Sequence, residues 1–194
     1  MKNIKDYDLY VALVHYPIKN KDGEVVTTAV TNMDIHDIAR LSVTFGFKNY
    51  YIVTPIAEQQ ALVGRIVDHW KGDYGKVRNN KRSTALNTVV ISPSLEAVKE
   101  SIVLKTGKKV ETITTTARST ERSITMKALI GSMDHDKAYL LIFGTGWGLV
   151  DEIIESSDYV LEPLSYDTGY NHLPVRSAVS IIMDRLYNAL GGKL

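Results

Sequence analysis

No cysteine occurs among the 194 residues. Disulfides, thiolate zinc sites, iron–sulfur ligation and a cysteine nucleophile are therefore excluded. Proline numbers five, phenylalanine three and tryptophan two. No apolar run approaches the ~20 residues that a bilayer span requires, so no membrane partner is expected. The opening MKNIKDYDLY lacks the apolar stretch of a secretion signal, and the expectation is a cytoplasmic protein. Neither charge sign dominates: 23 Lys and Arg meet 22 Asp and Glu. A hydrophobic content of 44% excludes disordered and collagenous classes. What remains is a chain of one-domain length, residues 1–194, able to bury a core without a covalent staple.

The small net charge hides a segregation. Residues 65–82 hold six Lys and Arg against two Asp, and residues 99–127 hold seven against three Glu. Residues 128–194 reverse the balance, with four Lys and Arg against nine Asp and Glu. Two basic patches on a near-neutral chain fit either a polyanionic partner held locally or two solvated faces.

Apolar runs at Val11–Val14, Tyr50–Thr54, Val89–Ile91, Lys109–Thr116, Tyr139–Phe143 and Tyr159–Leu161 read as strands. Between them, Ile35, Ile38, Leu41 and Phe45 recur at helical spacing, with Asn32 or Asp34 at the start and Gly46 at the exit. Further helices are predicted over Glu58–Trp70, Ser94–Leu104, Ile124–Ile130, Leu149–Ile154 and Val175–Leu190. Gly72–Asn87 is polar, basic and poor in periodicity, and reads as an insertion. Continuous apolar strands alternating with helices predict an α/β fold with a mostly parallel sheet and helices on both faces. Ligands of such sheets sit in the loops beyond the strand carboxyl ends.

Four stretches at strand ends carry residues suited to chemistry. Ile142–Leu149 contains Gly144, Gly146 and Gly148, whose backbone can approach a ligand closely. The third glycine of a dinucleotide fingerprint is replaced by Leu149, and no Lys or Ser/Thr follows as in a phosphate loop. The loop therefore suits a nucleoside-like ligand, or serves only as a tight turn. Residues 162–180 bring Asn171, His172, Arg176 and Ser177 together where the last helix begins. Asn32 and Arg40 can face one strand-end cleft, and Arg40 offers a planar fork for phosphate. Thr114–Arg118 ends a strand with hydroxyls, which equally fits threonine as a strand former. Trp70, Tyr74 and Tyr50-Tyr51 lie near basic residues, as base-stacking platforms or as core. His135 sits in Met-Asp-His-Asp136, too compact a cluster to converge on one ion, and no metal is expected.

An N-x₇-R-x₅-G stretch after the first strand, a G-x-G-x-G loop after a late strand, and N-H-L-P-V-R-S-A at the last helix resemble the three motifs of the SPOUT class of RNA methyltransferases. The similarity spans Tyr10 to Leu190 and is nearest the bacterial tRNA guanine-N1-methyltransferase catalytic domains. It implies a single α/β-knot domain with a deep C-terminal trefoil knot, and S-adenosylmethionine as cofactor. It implies that Thr115, Thr116 and Ala117, Gly144, Thr145, Gly146, Trp147 and Gly148, and Leu161, Pro163, Leu164, Asn171, His172, Leu173, Val175 and Ser177 hold that cofactor. It implies a homodimer, with Arg40 completing the partner's site, and RNA, above all tRNA, as substrate. Two departures stand out. Trp147 lies near the place of the second motif's glutamate, and the third-motif asparagine context becomes Asn171-His172. The acidic base of the guanine-N1 enzymes has Asp167 as its candidate. His172 is the candidate general base, since an ordinary imidazole titrates near neutrality. Arg118 or Arg176 is the candidate phosphate holder, or a helix-end ion-pair partner. Two alternatives stay open: a non-catalytic RNA-binding knot protein, and a different nucleotide-binding α/β enzyme.

Overall fold

Residues Asp8–Val14 form strand β1, and all seven are buried. A strand buried on both faces needs apolar side chains at every position, not at alternate ones. Beyond Asp8, which is paired with Lys48 and Lys108, β1 supplies them in two sets. Leu9, Val11 and Leu13 join one apolar cluster, while Tyr10, Ala12 and Val14 join another. The computed structural model describes residues 4–166 and 168–192, apart from the side chains of Tyr74 and Lys76. The predicted roles of Asp167 and Tyr74 thus fall outside the described residues.

β1 lies inside a seven-stranded sheet. Its other strands are β4 (Asn49–Val53), β5 (Val89–Ser92), β6 (Lys109–Thr115), β7 (Ser123–Ile124), β8 (Lys137–Gly144) and β9 (Tyr159–Leu161). The order is β5-β4-β1-β8-β6-β9-β7, and every pairing is parallel. A two-stranded antiparallel hairpin, β2 (Ile18–Lys19) with β3 (Val25–Val26), stands apart.

The two apolar clusters place the helices. Residues of α1 (Asn32–Thr44), α2 (Ala57–Lys71), α4 (Asn80–Leu86), α6 (Met126–Ser132) and α8 (Val175–Ala189) belong to the cluster of Leu9, Val11 and Leu13. Residues of α5 (Leu95–Thr106) and α7 (Asp151–Ser156) belong to or pack against the other cluster. The expected α/β sheet, covered on both faces, is what the chain forms.

Local details depart from the sequence reading. The N-cap of α1 is Thr31, whose side chain accepts from the Asp34 N–H; neither Asn32 nor Asp34 caps. Ile124 belongs to β7, and the helix predicted from it starts at Met126. Gly72–Asn87 is not an irregular insertion. It folds into α3 (Asp73–Arg78) and α4, which packs on α1 through Ala85 and Leu86. Tyr50 and Tyr51 are fully buried, so they are core and cannot stack a base.

Candidate functional site

A cavity of about 1310 Å³ opens where β6, β8 and β9 end. That exceeds the roughly 300–1,000 Å³ of ordinary small-molecule pockets, leaving space beside a nucleoside-sized ligand. Three stretches far apart in the chain meet around it: 115–122, 143–149 and 160–175.

The glycine loop folds back on itself. A Cβ on Gly144 would stand 2.7 Å from the Leu149 backbone nitrogen and 3.0 Å from the Gly148 carbonyl carbon, which real side chains do not tolerate. Gly146 adopts φ +55, a left-handed conformation that favours glycine. The loop is then fastened to the β1–β2 region. Thr145 N–H and Oγ1–H both donate to the Val14 carbonyl, at 3.3 and 3.0 Å. Trp147 N–H donates to Lys19 O at 3.2 Å, and Lys19 N–H donates to Gly148 O at 3.0 Å. The Lys19 ammonium pairs with Asp151.

Behind this loop lies His15. Its Nδ1 is 3.0 Å from Thr28 Oγ1, and Thr28 shares a hydrogen bond with the Thr145 hydroxyl. The imidazole is fully buried, and its Nε2 has no partner among the described residues. Burial pushes its pKa down to about 4, against the opposing pull of Asp34 and the Thr28 hydrogen bond. The ring is therefore neutral at pH 7.

The second wall begins at Thr115, whose hydroxyl donates to Ile142 O at 3.1 Å. Arg122 donates from Nη2 to Ser157 O at 2.7 Å and from Nη1 to Ile154 O at 3.3 Å, satisfying the end of α7. The third wall is pinned to the second by Asn171, whose Nδ2 donates to Ala117 O at 2.9 Å. His172 is exposed, with its ring edge-on to Tyr170 at 5.5 Å. Arg176 is engaged with two aspartates of α1: Asp34 at 3.3 Å and Asp37 at 2.7 Å. The helix-end ion-pair reading of Arg176 is the one this geometry fits.

The cavity is lined by Thr115, Thr116, Ala117, Arg118, Gly144, Thr145, Gly146, Trp147, Gly148, Leu164, Asn171, His172, Leu173 and Val175. Four predicted residues lie elsewhere. Leu161 is buried in the apolar core, and Pro163 and exposed Ser177 are not on the cavity wall. Arg40 lines a separate groove of about 500 Å³, together with Asn32. His135 stacks on Tyr7 at 4.3 Å, away from the cavity. Lys19, Thr28, Thr31 and Asp34 line the cavity without having been foreseen. Two-residue strands give no periodic signal, so the hairpin that brings Lys19 there is silent in the sequence.

Charge on the wall is lopsided. Lys19, Arg118 and Arg122 face Asp34, Glu121, Asp151, Glu155 and Glu162; Arg176 pairs with Asp34, which leaves a small excess of carboxylates. A cationic ligand is favoured there. Glycine backbone, threonine hydroxyls and surplus carboxylates together fit a sulfonium nucleoside.

Comparison with known proteins agrees with this geometry. A family model described as SAM-dependent RNA methyltransferase matches residues 8–188. The tRNA (guanine-N(1)-)-methyltransferase of Oleidesulfovibrio alaskensis is 41% identical over 179 residues, 92% of this chain and 42% of that protein. The chain spans less than half the length of that protein and of its namesake from Nitratidesulfovibrio vulgaris. An uncharacterized protein of Aquifex aeolicus is 35% identical over 182 residues, 93% of this chain and 89% of that one. Among solved structures, the SpoU methyltransferase AviRb from Streptomyces viridochromogenes, in complex with AdoMet, is similar in fold. Its TM-score is 0.56 at 16% identity, with 96% of this chain and 59% of that chain covered. Parallel sheet, three-loop cavity and a match along nearly the whole chain lead to one assignment: the chain belongs to the SAM-dependent RNA methyltransferase family.

Proposed function

We propose that this chain methylates a base of tRNA, with S-adenosylmethionine held in the cavity at the ends of β6, β8 and β9. The observation that carries the reading is the convergence of 115–122, 143–149 and 160–175 on one carboxylate-rich cavity. The cofactor, when bound, supplies an electrophilic methyl group on a sulfonium centre. The Gly144–Gly148 backbone lets its nucleoside approach closely, and the carboxylates complement its positive charge. Methyl transfer depends mostly on alignment, so rigid walls matter more than reactive side chains. The Thr145 and Asn171 hydrogen bonds supply that rigidity. His172 at the rim accepts the proton that a ring nitrogen gives up, and Arg118 beside it holds a substrate phosphate.

The finer parts of the reading are these. The segment from Glu162 into α8 closes a trefoil knot, the protein works as a cytoplasmic homodimer, and Arg40 completes the partner's site. The guanine N1 position is the first modification to test, since relatives bear that name.

Tritiated methyl transfer from S-adenosylmethionine into bulk tRNA, followed by nucleoside analysis, tests the proposal. Incorporation into one nucleoside species is expected. Cofactor binding by calorimetry without incorporation across a broad RNA panel would leave an RNA-binding module instead. Absence of cofactor binding would remove the reading altogether.

A further inference from the structure

The groove of about 500 Å³ has the opposite electrostatics from the main cavity. Its charged lining is Arg40, Arg65 and Arg82 against Asp37 alone, and Asp37 is shared with Arg176 at 2.7 Å. Among the described residues, neither Arg65 nor Arg82 is paired with a carboxylate. The Arg82 guanidinium lies 4.4 Å over the half-buried Trp70 ring. Such stacking fixes the planar fork while leaving its N–H donors at the edges.

The groove and the cavity share a wall. Thr31 lines the cavity and Asn32, the next residue, lines the groove. Arg176 grips Asp34 on the cavity side and Asp37 on the groove side. An RNA whose base enters the cavity needs its flanking backbone held close by, beyond the one phosphate within reach of Arg118.

We propose that the α1–α2–α4 groove is an RNA docking site, in which Arg65 and Arg82 bind phosphodiesters flanking the base presented to the cavity. This rests on the proposed RNA methylation and adds where the substrate backbone is held. The fixed Arg82 fork takes one phosphate, and Arg65 takes another from α2. Half of the groove lining, Arg65, Ile66, His69, Trp70 and Arg82, comes from the basic segment 65–82.

Fluorescence anisotropy of the full chain with bulk tRNA, across a salt series, tests this. The double variant Arg65→Glu, Arg82→Glu is expected to bind at least tenfold more weakly. Its log–log salt slope should flatten by about 0.7 for each lost single-strand phosphate contact. Cofactor affinity by calorimetry should stay at the wild-type value. Arg65→Glu alone, on an exposed helix position, gives a variant independent of the Trp70 stack and should show a smaller loss in the same direction. Unchanged tRNA affinity and slope in both variants, with wild-type methyl transfer retained, would overturn the docking site alone. A wild-type protein that binds no RNA would overturn docking and methylation together. Altered self-association by ultracentrifugation, with tRNA affinity intact, would make the groove an interface between copies and overturn the proposal.

Discussion

His15 is sealed behind the glycine loop, where a proton would meet no water. Its ordinary pKa is 6.5 and its folded value is about 4. Between those values the unfolded chain holds the extra proton, so stability is complete above pH 6.5 and is lost as pH falls toward 4. The shift corresponds to about 3 kcal/mol over that window. Urea midpoints measured against pH should show this slope, and His15→Asn should flatten it. A slope that survives the substitution would place the acid sensitivity elsewhere. Gly144 makes a second residue-scale prediction. Gly144→Ala forces the loop off its own backbone, at a cost of about 1–3 kcal/mol. Cofactor affinity should fall at least tenfold by calorimetry, and wild-type affinity would show that this loop does not cradle the nucleoside. Glycines at a strand end are conspicuous in a sequence, which is why this loop was legible. His15 was not, because nothing local distinguishes a buried imidazole from a surface one.

At the scale of elements, one side chain of α8 ties down two carboxylates of α1. Arg176 bridges Asp34 and Asp37, and Asp34 is almost entirely buried. Removing the cation leaves a carboxylate whose one remaining side-chain partner among the described residues is the Thr31 hydroxyl, at 2.6 Å. Arg176→Met should cost about 2 kcal/mol in urea unfolding, below the loss for a fully buried pair since the guanidinium is partly solvated. Adding Asp34→Asn should recover part of that loss, and strict additivity would deny the coupling. Long helices with an apolar stripe, such as α1 and α8, were readable from spacing alone. α3 and α4 were not. Each is two turns or fewer, too short to display a period, and α4 is held by packing of Ala85 and Leu86 into the core. The cap falls on Thr31, one residue before Asn32; Thr31, Asn32 and Asp34 are all polar, and only the backbone angle decides among them.

For the whole molecule, two surfaces of opposite sign sit side by side. A cavity with surplus carboxylate and an arginine-rich groove suit the proposed reaction between a cationic donor and an anionic polymer. Net charge near zero conceals this, and only segment-by-segment counting hinted at it. The convergence of three distant loops was foreseeable through family resemblance and not through periodicity, because nothing local to 144–148 encodes proximity to 171. The sheet carries a further consequence. β1 at residues 8–14 has β8 at residues 137–144 as one of its two neighbours. During synthesis the first strand must wait for more than a hundred further residues to leave the ribosome before that edge is covered. Until then it offers an open hydrogen-bonding row to any passing strand, so the nascent chain is prone to aggregate from the emergence of β1 until β8 follows, and shielding by a chaperone would matter most in that interval.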